Sequence, residues 1–316
     1  MKMKHIEISP YNPNWPRIFE AEKLALKKAL GDNCIAIHHI GSTSIPGMVA
    51  KKDIDILCVV NKLEVRWALE SIGYIFKGEY NIPLRYYFSK NTSESKVNLH
   101  VVEKNHGFIR LNLCFRDYLR CHEKDCVRYS ELKTKLLQDP KSFERNERQF
   151  SGYNLGKNAF IKGILDKAGW DGLSVNICMH NDEWDSAKHF RQKYFFDNVP
   201  ISDPYTWTFD HPDHIHLVLY LGSKIIGYAH IQLSKDMRAA IRIIVIDKIF
   251  RNHEYGSKFL LFIEKWLKTK ACRSIHTQSS PKAYEFYKKH GYIEIDFNDP
   301  DMYESDPQDI DMGKKL

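Results

Sequence analysis

The stretch that decides the fold of the C-terminal half is Ile241–Gly256, IRIIVIDKIFRNHEYG, read together with Ala283–Tyr292, AYEFYKKHGY. Ile241–Ile246 is β-branched and apolar, which predicts a buried strand. A short basic turn follows, then Gly256, then an amphipathic helix over Ser257–Lys268. A strand running through such a turn into a helix aims backbone N–H groups and the positive end of the helix dipole at one point, a geometry that suits a phosphate group. The second segment places the phenol of Tyr287 on a helix face able to reach the same point. A β-α unit with Tyr287 as a buried core aromatic fits the same pattern.

These residues, in this order, resemble the GNAT acyltransferases. The family's strand and Arg/Gln-x-x-Gly-x-Gly/Ala turn fall in register with Ile244, Ile246, Arg251, Asn252, His253, Glu254, Tyr255 and Gly256. Its later Ala-x-x-Phe-Tyr-x-x-x-Gly-Phe/Tyr pattern falls on Ala283, Phe286, Tyr287, Gly291 and Tyr292. The resemblance covers roughly Leu173 to Leu316 and implies transfer of acetyl from acetyl-coenzyme A to a small-molecule or peptide amine. It implies that the backbone of Ile244, Val245 and Ile246 binds the pantetheine arm, and that Arg251, Asn252, His253, Glu254, Tyr255, Gly256 and Ser257 cradle the diphosphate. Ser280 stands where relatives often place an asparagine, and Tyr287 is the implied acid for the departing thiolate, phenol and thiol having similar ordinary pKa values. One position departs from the pattern. Glu254 puts a carboxylate where the family has glycine, a like-charge cost beside a diphosphate unless the side chain turns outward. Asp203, His230 and Asp247 are the positional candidates for a general base, alongside a water chain.

The N-terminal half carries a second constellation. His39-Ile40-Gly41-Ser42-Thr43-Ser44 is followed closely by Asp53-Ile54-Asp55. Two carboxylates at i and i+2 on a strand share a face, so Asp53 and Asp55 can hold one divalent ion, and a tight turn at Gly41 and Ser42 lets amides approach phosphates. A structural turn with Asp55 capping a helix or pairing Lys51 is the alternative. The segment HHIGSTSIPGMVAKKDIDI, with Phe115–Arg120, FRDYLR, resembles the GrpB-like family of the nucleotidyltransferase superfamily over roughly Ile6 to Ala168. An active nucleotidyltransferase needs a third carboxylate for a pair of Mg²⁺ ions, and the expected strand, Lys96–Glu103, offers neutral Asn98 and His100 on the relevant face. The resemblance therefore implies nucleotide or metal binding and no settled reaction. His38 and His39 are neighbours on a strand, so at most one faces the acidic residues.

At 316 residues with 43% apolar and 28% charged side chains, the chain reads as two globular domains. The glycine-flanked Ala168–Gly172 marks the break, giving domains 1–170 and 173–316. The fold class expected is α/β (α+β): an N-terminal nucleotidyltransferase-like mixed sheet with helices, then a GNAT mixed sheet flanked by helices. The net charge of +7 comes from lysines and arginines interleaved with acids, which predicts solvated faces rather than a nucleic-acid stripe. No apolar run predicts a membrane span, and MKMKHIEISPYNPNW carries no signal-like apolar stretch. Seven scattered cysteines without C-x-x-C pairs fit reduced thiols, hence a cytoplasmic setting. The leading expectation is an N-acetyltransferase. The competing ones are a Mg²⁺-dependent nucleotidyltransferase acting on a small molecule and a non-catalytic coenzyme A or nucleotide sensor.

Overall fold

The computed structural model describes residues 6–144, 151–197, 201–299 and 306–316. The chain divides into two compact units, one running to Ser174 together with Leu221–Ser223, the other made of Val175–Tyr220 and Lys224–Leu316.

The first unit opens with α1, Trp15–Leu30, which has proline in its first turn, where the missing N–H costs nothing, and stops at Gly31 with φ +51°. Its buried face is Trp15, Ile18, Phe19, Glu22, Leu26 and Leu30. Leu24 of the same helix is exposed. Glu22 takes the inward position because Tyr74 Oη (2.8 Å) and Lys90 Nζ (3.0 Å) both donate to its carboxylate. There follow β1 (Cys34–Ile40), β2 (Asp53–Val60), α2 (Arg66–Glu70), β3 (Ile75–Phe76), β4 (Arg85–Asn91), β5 (Lys96–Glu103), α3 (Gly107–Cys121), α4 (Glu123–Gln138), α5 (Gly152–Leu155) and α6 (Asn158–Lys167). Helices α5 and α6 are parted at Gly156 and Lys157.

The sheet order is β1-β2-β5-β4-β3, with β2 and β5 parallel and the other pairs antiparallel. Ile54, Ile56, Cys58 and Val60 face α1 and complete the larger core with Val97, Leu99 and Val101. The two-residue alternation of a strand turns Asp53, Asp55 and Leu57 to the other face. There Leu57 packs with Ile40, Val102 and Phe108 of α3.

The second unit takes most of β6 (Leu173–Ile177) and of β7 (His214–Leu221), and holds α7 (Asn181–Arg191), β8 (Lys224–Leu233), β9 (Arg238–Ile246), α8 (Tyr255–Thr269), β10 (Ser274–Ser279), α9 (Tyr284–Lys289), β11 (Ile293–Glu294) and β12 (Ile310–Lys315). Its sheet order is β11-β12-β10-β9-β8-β7-β6. Helix α8 begins two residues earlier than the periodicity predicts, at Tyr255. Ala187 and Phe190 of α7 pack on Val218, Tyr220, Tyr228, Ile243 and Val245. Helix α8 buries Phe259, Leu260, Ile263, Trp266 and Leu267 at three- and four-residue spacing. Both units are mixed α/β assemblies, as the fold expectation had it.

None of the seven cysteines is in a disulfide. No helix among the described residues is long and apolar enough to cross a membrane.

Candidate functional site

Strands β9 and β10 run parallel but pair over only Arg238–Ala240 against Ser274–His276, and then part. Thr277 Oγ1 donates to the Ile241 carbonyl at 3.0 Å and marks the apex of the opening. On its other side β9 pairs antiparallel with β8, and the register slips so that Arg242 is an extra residue. Such a bulge bends and twists the strand that carries it. Which backbone groups face the opening follows from the ladder. The Asp247 N–H donates to Ile226 O at 2.8 Å, so alternation turns the N–H and C=O of Val245 to β8 and those of Ile244 and Ile246 to the opening. Of the three residues expected to offer backbone here, Val245 is therefore already spent on the sheet.

The turn after β9 holds two non-glycine residues in left-handed backbone, Asn252 (φ +65°) and Glu254 (φ +59°). Glu254 is the residue before α8 and makes no side-chain cap; its side chain is exposed, turned outward. The first N–H groups of a helix have no partner inside it, here those of Tyr255, Gly256 and Ser257. Glycine at 256 answers to no demand from the protein itself: an added Cβ would meet Phe286 at 3.6 Å and Ile246 at 3.7 Å, ordinary contacts, at an unremarkable φ. Arg251 folds back, its Nε donating to Ile246 O at 2.9 Å and its guanidinium lying 5.2 Å from the Tyr194 ring. His253 Nδ1 lies 2.7 Å from the Arg251 carbonyl and the ring stacks on Tyr255.

Tyr287, on α9, is 5% exposed and packed edge-on against Phe286 and Tyr292. Burial pushes its phenol up to about 12, opposed in part by the neighbouring Thr277. Thr277, the polar neighbour of the phenol, gives its own hydroxyl proton to the Ile241 carbonyl, where β9 and β10 separate. Ser280 is exposed, and its carbonyl accepts the Ala283 N–H (2.9 Å) at the start of α9.

Two of the three base candidates are occupied. Both Asp203 oxygens accept from Arg191 (2.5 and 2.9 Å), and Oδ1 also accepts the Tyr205 N–H. Arginine only donates, so His230 Nδ1 accepts from Arg191 Nη1 (3.1 Å) and its Nε2–H is left to donate to His214 Nδ1 (2.8 Å). Burial, then the neighbouring His216 and Arg191, hold His230 well below its ordinary value. Asp247 caps the Ile249 N–H and receives Lys193 at 3.4 Å. Burial pushes that carboxyl up, but the amide and the ammonium outweigh it and keep it below its ordinary value. Sequence reading missed Thr277, Arg191, His214 and His216. The signal available for the histidines was their alternation on β7 opposite Tyr228 and His230.

The second constellation lies in the first unit. Gly41 has φ +69° and ψ −175°, open to glycine almost alone. A Cβ there would come within 2.2 Å of Asp55 Oδ2. Asn98 Nδ2 donates to Asp55 Oδ1 (3.0 Å), and Tyr87 Oη donates to Asn98 Oδ1 (2.7 Å). Burial raises the Asp55 carboxyl to about 6 against the pull of Asn98, with Asp53 adding to the rise. His100, half-buried, lies 2.8 Å from Arg85, and desolvation then that guanidinium drive it well below its ordinary value. Glu103 accepts the Leu63 N–H away from this face. His39 stacks on Phe19 and shares a hydrogen bond with Thr43, a core role, and burial lowers it to about 4. The arginines of FRDYLR hold the turn from behind: Arg116 donates to His39 O, and Arg120 donates twice to Ser44 O.

These residues do not fit a two-ion centre. The third position is the amide Asn98, and Lys157 supplies positive charge toward Asp55. Among the described residues no group of three or more His, Cys, Asp or Glu side chains is gathered to hold a metal.

The family model for GrpB protein matches residues 5–167, just over half of the chain, and that for the acetyltransferase (GNAT) family matches residues 179–292. The chain is 36% identical over 197 residues to the UPF0157 protein YqkA of Bacillus subtilis, covering 59% of this chain and 55% of that one, so it spans about half the length of that relative. The crystal structure of conserved protein GrpB from Enterococcus faecalis is similar at 36% identity and a TM-score of 0.45, covering 51% of this chain and 96% of that one. An acetyltransferase of the GNAT family from Staphylococcus aureus is similar at 19% identity and a TM-score of 0.37, over 45% of this chain and 99% of that one. The chain belongs to the GrpB family and joins to that domain a GNAT acetyltransferase domain, an acyltransferase type that generally uses acetyl-coenzyme A.

Proposed function

We propose that the C-terminal domain transfers acetyl from acetyl-coenzyme A to a primary amine by direct attack, with Tyr287 as general acid. The observation that carries this reading is the parting of β9 and β10 after a three-residue pairing, with the Thr277 hydroxyl on the Ile241 carbonyl at its apex. When bound, the cofactor supplies a thioester whose C–S bond breaks as the amine C–N bond forms. Ile244 and Ile246 offer strand-type hydrogen bonds to the amides of the pantetheine arm, because their N–H and C=O groups face the opening. One of those N–H groups stabilises the oxygen that gains charge during attack. The N–H groups of Tyr255, Gly256 and Ser257 receive the diphosphate, helped by the helix dipole. Arg251, Asn252 and His253 shape this turn, and Glu254 leaves it open by pointing outward. Ser280 sits at the mouth, before α9.

Tyr287 holds its proton throughout the neutral range, its phenol raised to about 12 by burial. It hands that proton to sulfur only as the thiolate forms, an event that draws the proton across a short hydrogen bond. Asp203 and His230 orient α7 against β7 and β8 through Arg191 and carry no base role in this reading. The amine proton leaves to water, or to the ionised Asp247 through water.

The experiment is thiol release from acetyl-coenzyme A across an amine library, wild type against Tyr287→Phe. The variant is expected to lose about a hundredfold in kcat with KM for the cofactor nearly unchanged. An unaltered kcat would remove Tyr287 from the reaction.

A further inference from the structure

Arg242 is the extra residue where β9 slips against β8, and it directly follows Ile241, whose carbonyl marks the apex of the opening. A bulge re-aims the side chain it carries. The new direction is legible from β8, where alternation puts Tyr228, His230 and Gln232 on one face. Tyr228 packs with Phe190 of α7, and His230 accepts from Arg191 of the same helix. Arg242 Nε donates to Gln232 Oε1 at 2.7 Å, so its guanidinium lies on that α7 face, close to where β9 and β10 part.

There the guanidinium already holds a carboxylate. Arg242 Nη2 donates to Asp299 Oδ1 at 2.7 Å and Nη1 donates to Oδ2, and both side chains are only 8% exposed. The Phe297 ring lies 5.4 Å away and closes one side. The planar fork of arginine suits this two-point grip on a carboxylate. Stability alone is a weak reason for such a pair, because apolar side chains of similar size do as well once both charges have lost their water. Asp299 comes from the connection between β11 and β12, outside any strand, and Asn298 before it is in left-handed backbone at φ +46°. A carboxylate carried on such a connection can give way to one carried by a ligand without disturbing the sheet.

We propose that Arg242 anchors the acetyl acceptor: the amine substrate carries a carboxylate, and the Asp299 side chain stands in its place until the substrate arrives. This rests on the acetyl-transfer reading and narrows its acceptor to short amino acids. Arg242 and Ile244 are two residues apart, about 7 Å along a strand. A carboxylate on the guanidinium therefore leaves an amine a few bonds away beside the N–H groups assigned to the thioester oxygen. Gln232 keeps the fork oriented while the carboxylates exchange.

The test is thiol release from acetyl-coenzyme A by the full chain with matched pairs: glycine and glycinamide, β-alanine and β-alaninamide, γ-aminobutyrate and its amide. Each pair is compared at equal concentration of unprotonated amine. The best acid is expected to exceed its own amide in kcat/KM by about tenfold or more. Asp299→Asn weakens the internal competitor, so KM for that acid should fall about tenfold while kcat, and both constants for the amide, stay level. Arg242→Met made together with Asp299→Asn, so that no charge is left buried alone, should bring acid and amide to the same kcat/KM. Amides equal to or better than acids, or a loss in Asp299→Asn shared by both members of a pair, overturns the proposal, because Asp299 then serves only to pin its connection. Release with amines that lack a carboxylate and with none of the acids overturns it too, and leaves acetyl transfer standing. Release with no amine at all removes the acetyl-transfer reading and this proposal with it.

Discussion

The turn at Gly41–Ser44 and the turn at Asn252–Ser257 both follow a strand, and both gather hydrogen-bond donors toward one point, but they are built oppositely. In the first, glycine takes the positive φ, and the donors' charge comes from lysine side chains on helices remote in sequence. In the second, Asn252 and Glu254 take the positive φ, while Gly256, in the helix, is not required by any neighbouring atom. The first turn is determined by the protein around it. The second is shaped by space left vacant, which is what a turn made to receive a cofactor needs.

That contrast breaks most visibly under an added methyl group. Gly41→Ala forces a Cβ to within 2.2 Å of the Asp55 carboxylate in a backbone region nearly closed to alanine. It should cost the first unit roughly 3 kcal/mol or more, measured by urea unfolding. A loss under about 1 kcal/mol would mean that the turn is not held as described.

A pH series sharpens the comparison next. In the unfolded chain Lys133 keeps its proton to the ordinary 10.5, whereas in the folded chain it releases it near 7. Between those values the unfolded state binds more protons, so stability rises with pH. From pH 7 to 9 Lys133 should contribute about 1–2 kcal/mol to the first unit and Lys157, lowered to about 8 by burial, adds in the same direction, read by hydrogen exchange on its peptides. The second unit should stay nearly level. On the acid side the histidines act in both units. His39 and His214 fall from 6.5 unfolded to about 4 folded, so their contribution is full above 6.5 and is lost as pH drops toward 4. Asp55, raised to about 6, opposes His39 in the first unit as pH falls from 6 toward 4, so the acid arm mixes two signs there and the alkaline arm gives the cleaner comparison.

Smaller effects belong to the second turn. Glu254→Gly removes a left-handed glutamate and should stabilise by about 0.5–1 kcal/mol, less the added freedom of glycine in the unfolded chain. It should also tighten acetyl-coenzyme A binding by removing a carboxylate near the diphosphate, read by calorimetry; weaker binding would misplace the diphosphate. Gly256→Ala should leave stability unchanged or raise it by up to about 1 kcal/mol, since alanine favours a helix. Its cost should fall on cofactor affinity alone. Destabilisation would show that the protein, not a ligand, asks for glycine there.

The two turns also differ in how far the sequence discloses them. The second was legible because its parts are local or ordered: a β-branched strand, a turn, a helix, then Phe286-Tyr287 ahead of Gly291. What escaped there was orientation. Strand alternation could not be phased until the Asp247–Ile226 hydrogen bond fixed it, and only then does Val245 turn away from the opening. Asp203 and His230 read as free bases because their partner Arg191 lies on a separate helix. At the first turn, Gly41, Ser42, Asp53 and Asp55 were visible as a motif, and Asn98 in place of a carboxylate was visible too. Lys133 was not, because it lies 91 residues from Ser42 and sits in α4 among ordinary surface lysines of the same periodicity. Burial, not spacing, distinguishes it, and burial is a property of the packed chain. Glu22 escaped in the same way: a charge on an apolar face is legible only with Tyr74 and Lys90 in place.

The most direct test of the acetyl-transfer account is a crystal structure of the chain with acetyl-coenzyme A. The expected result has the pantetheine arm bonded to Ile244 and Ile246 between β9 and β10, the diphosphate on the N–H groups of Tyr255–Ser257, and the sulfur within about 3–4 Å of the Tyr287 oxygen. A cofactor bound elsewhere, or a sulfur out of reach of that phenol, would contradict it.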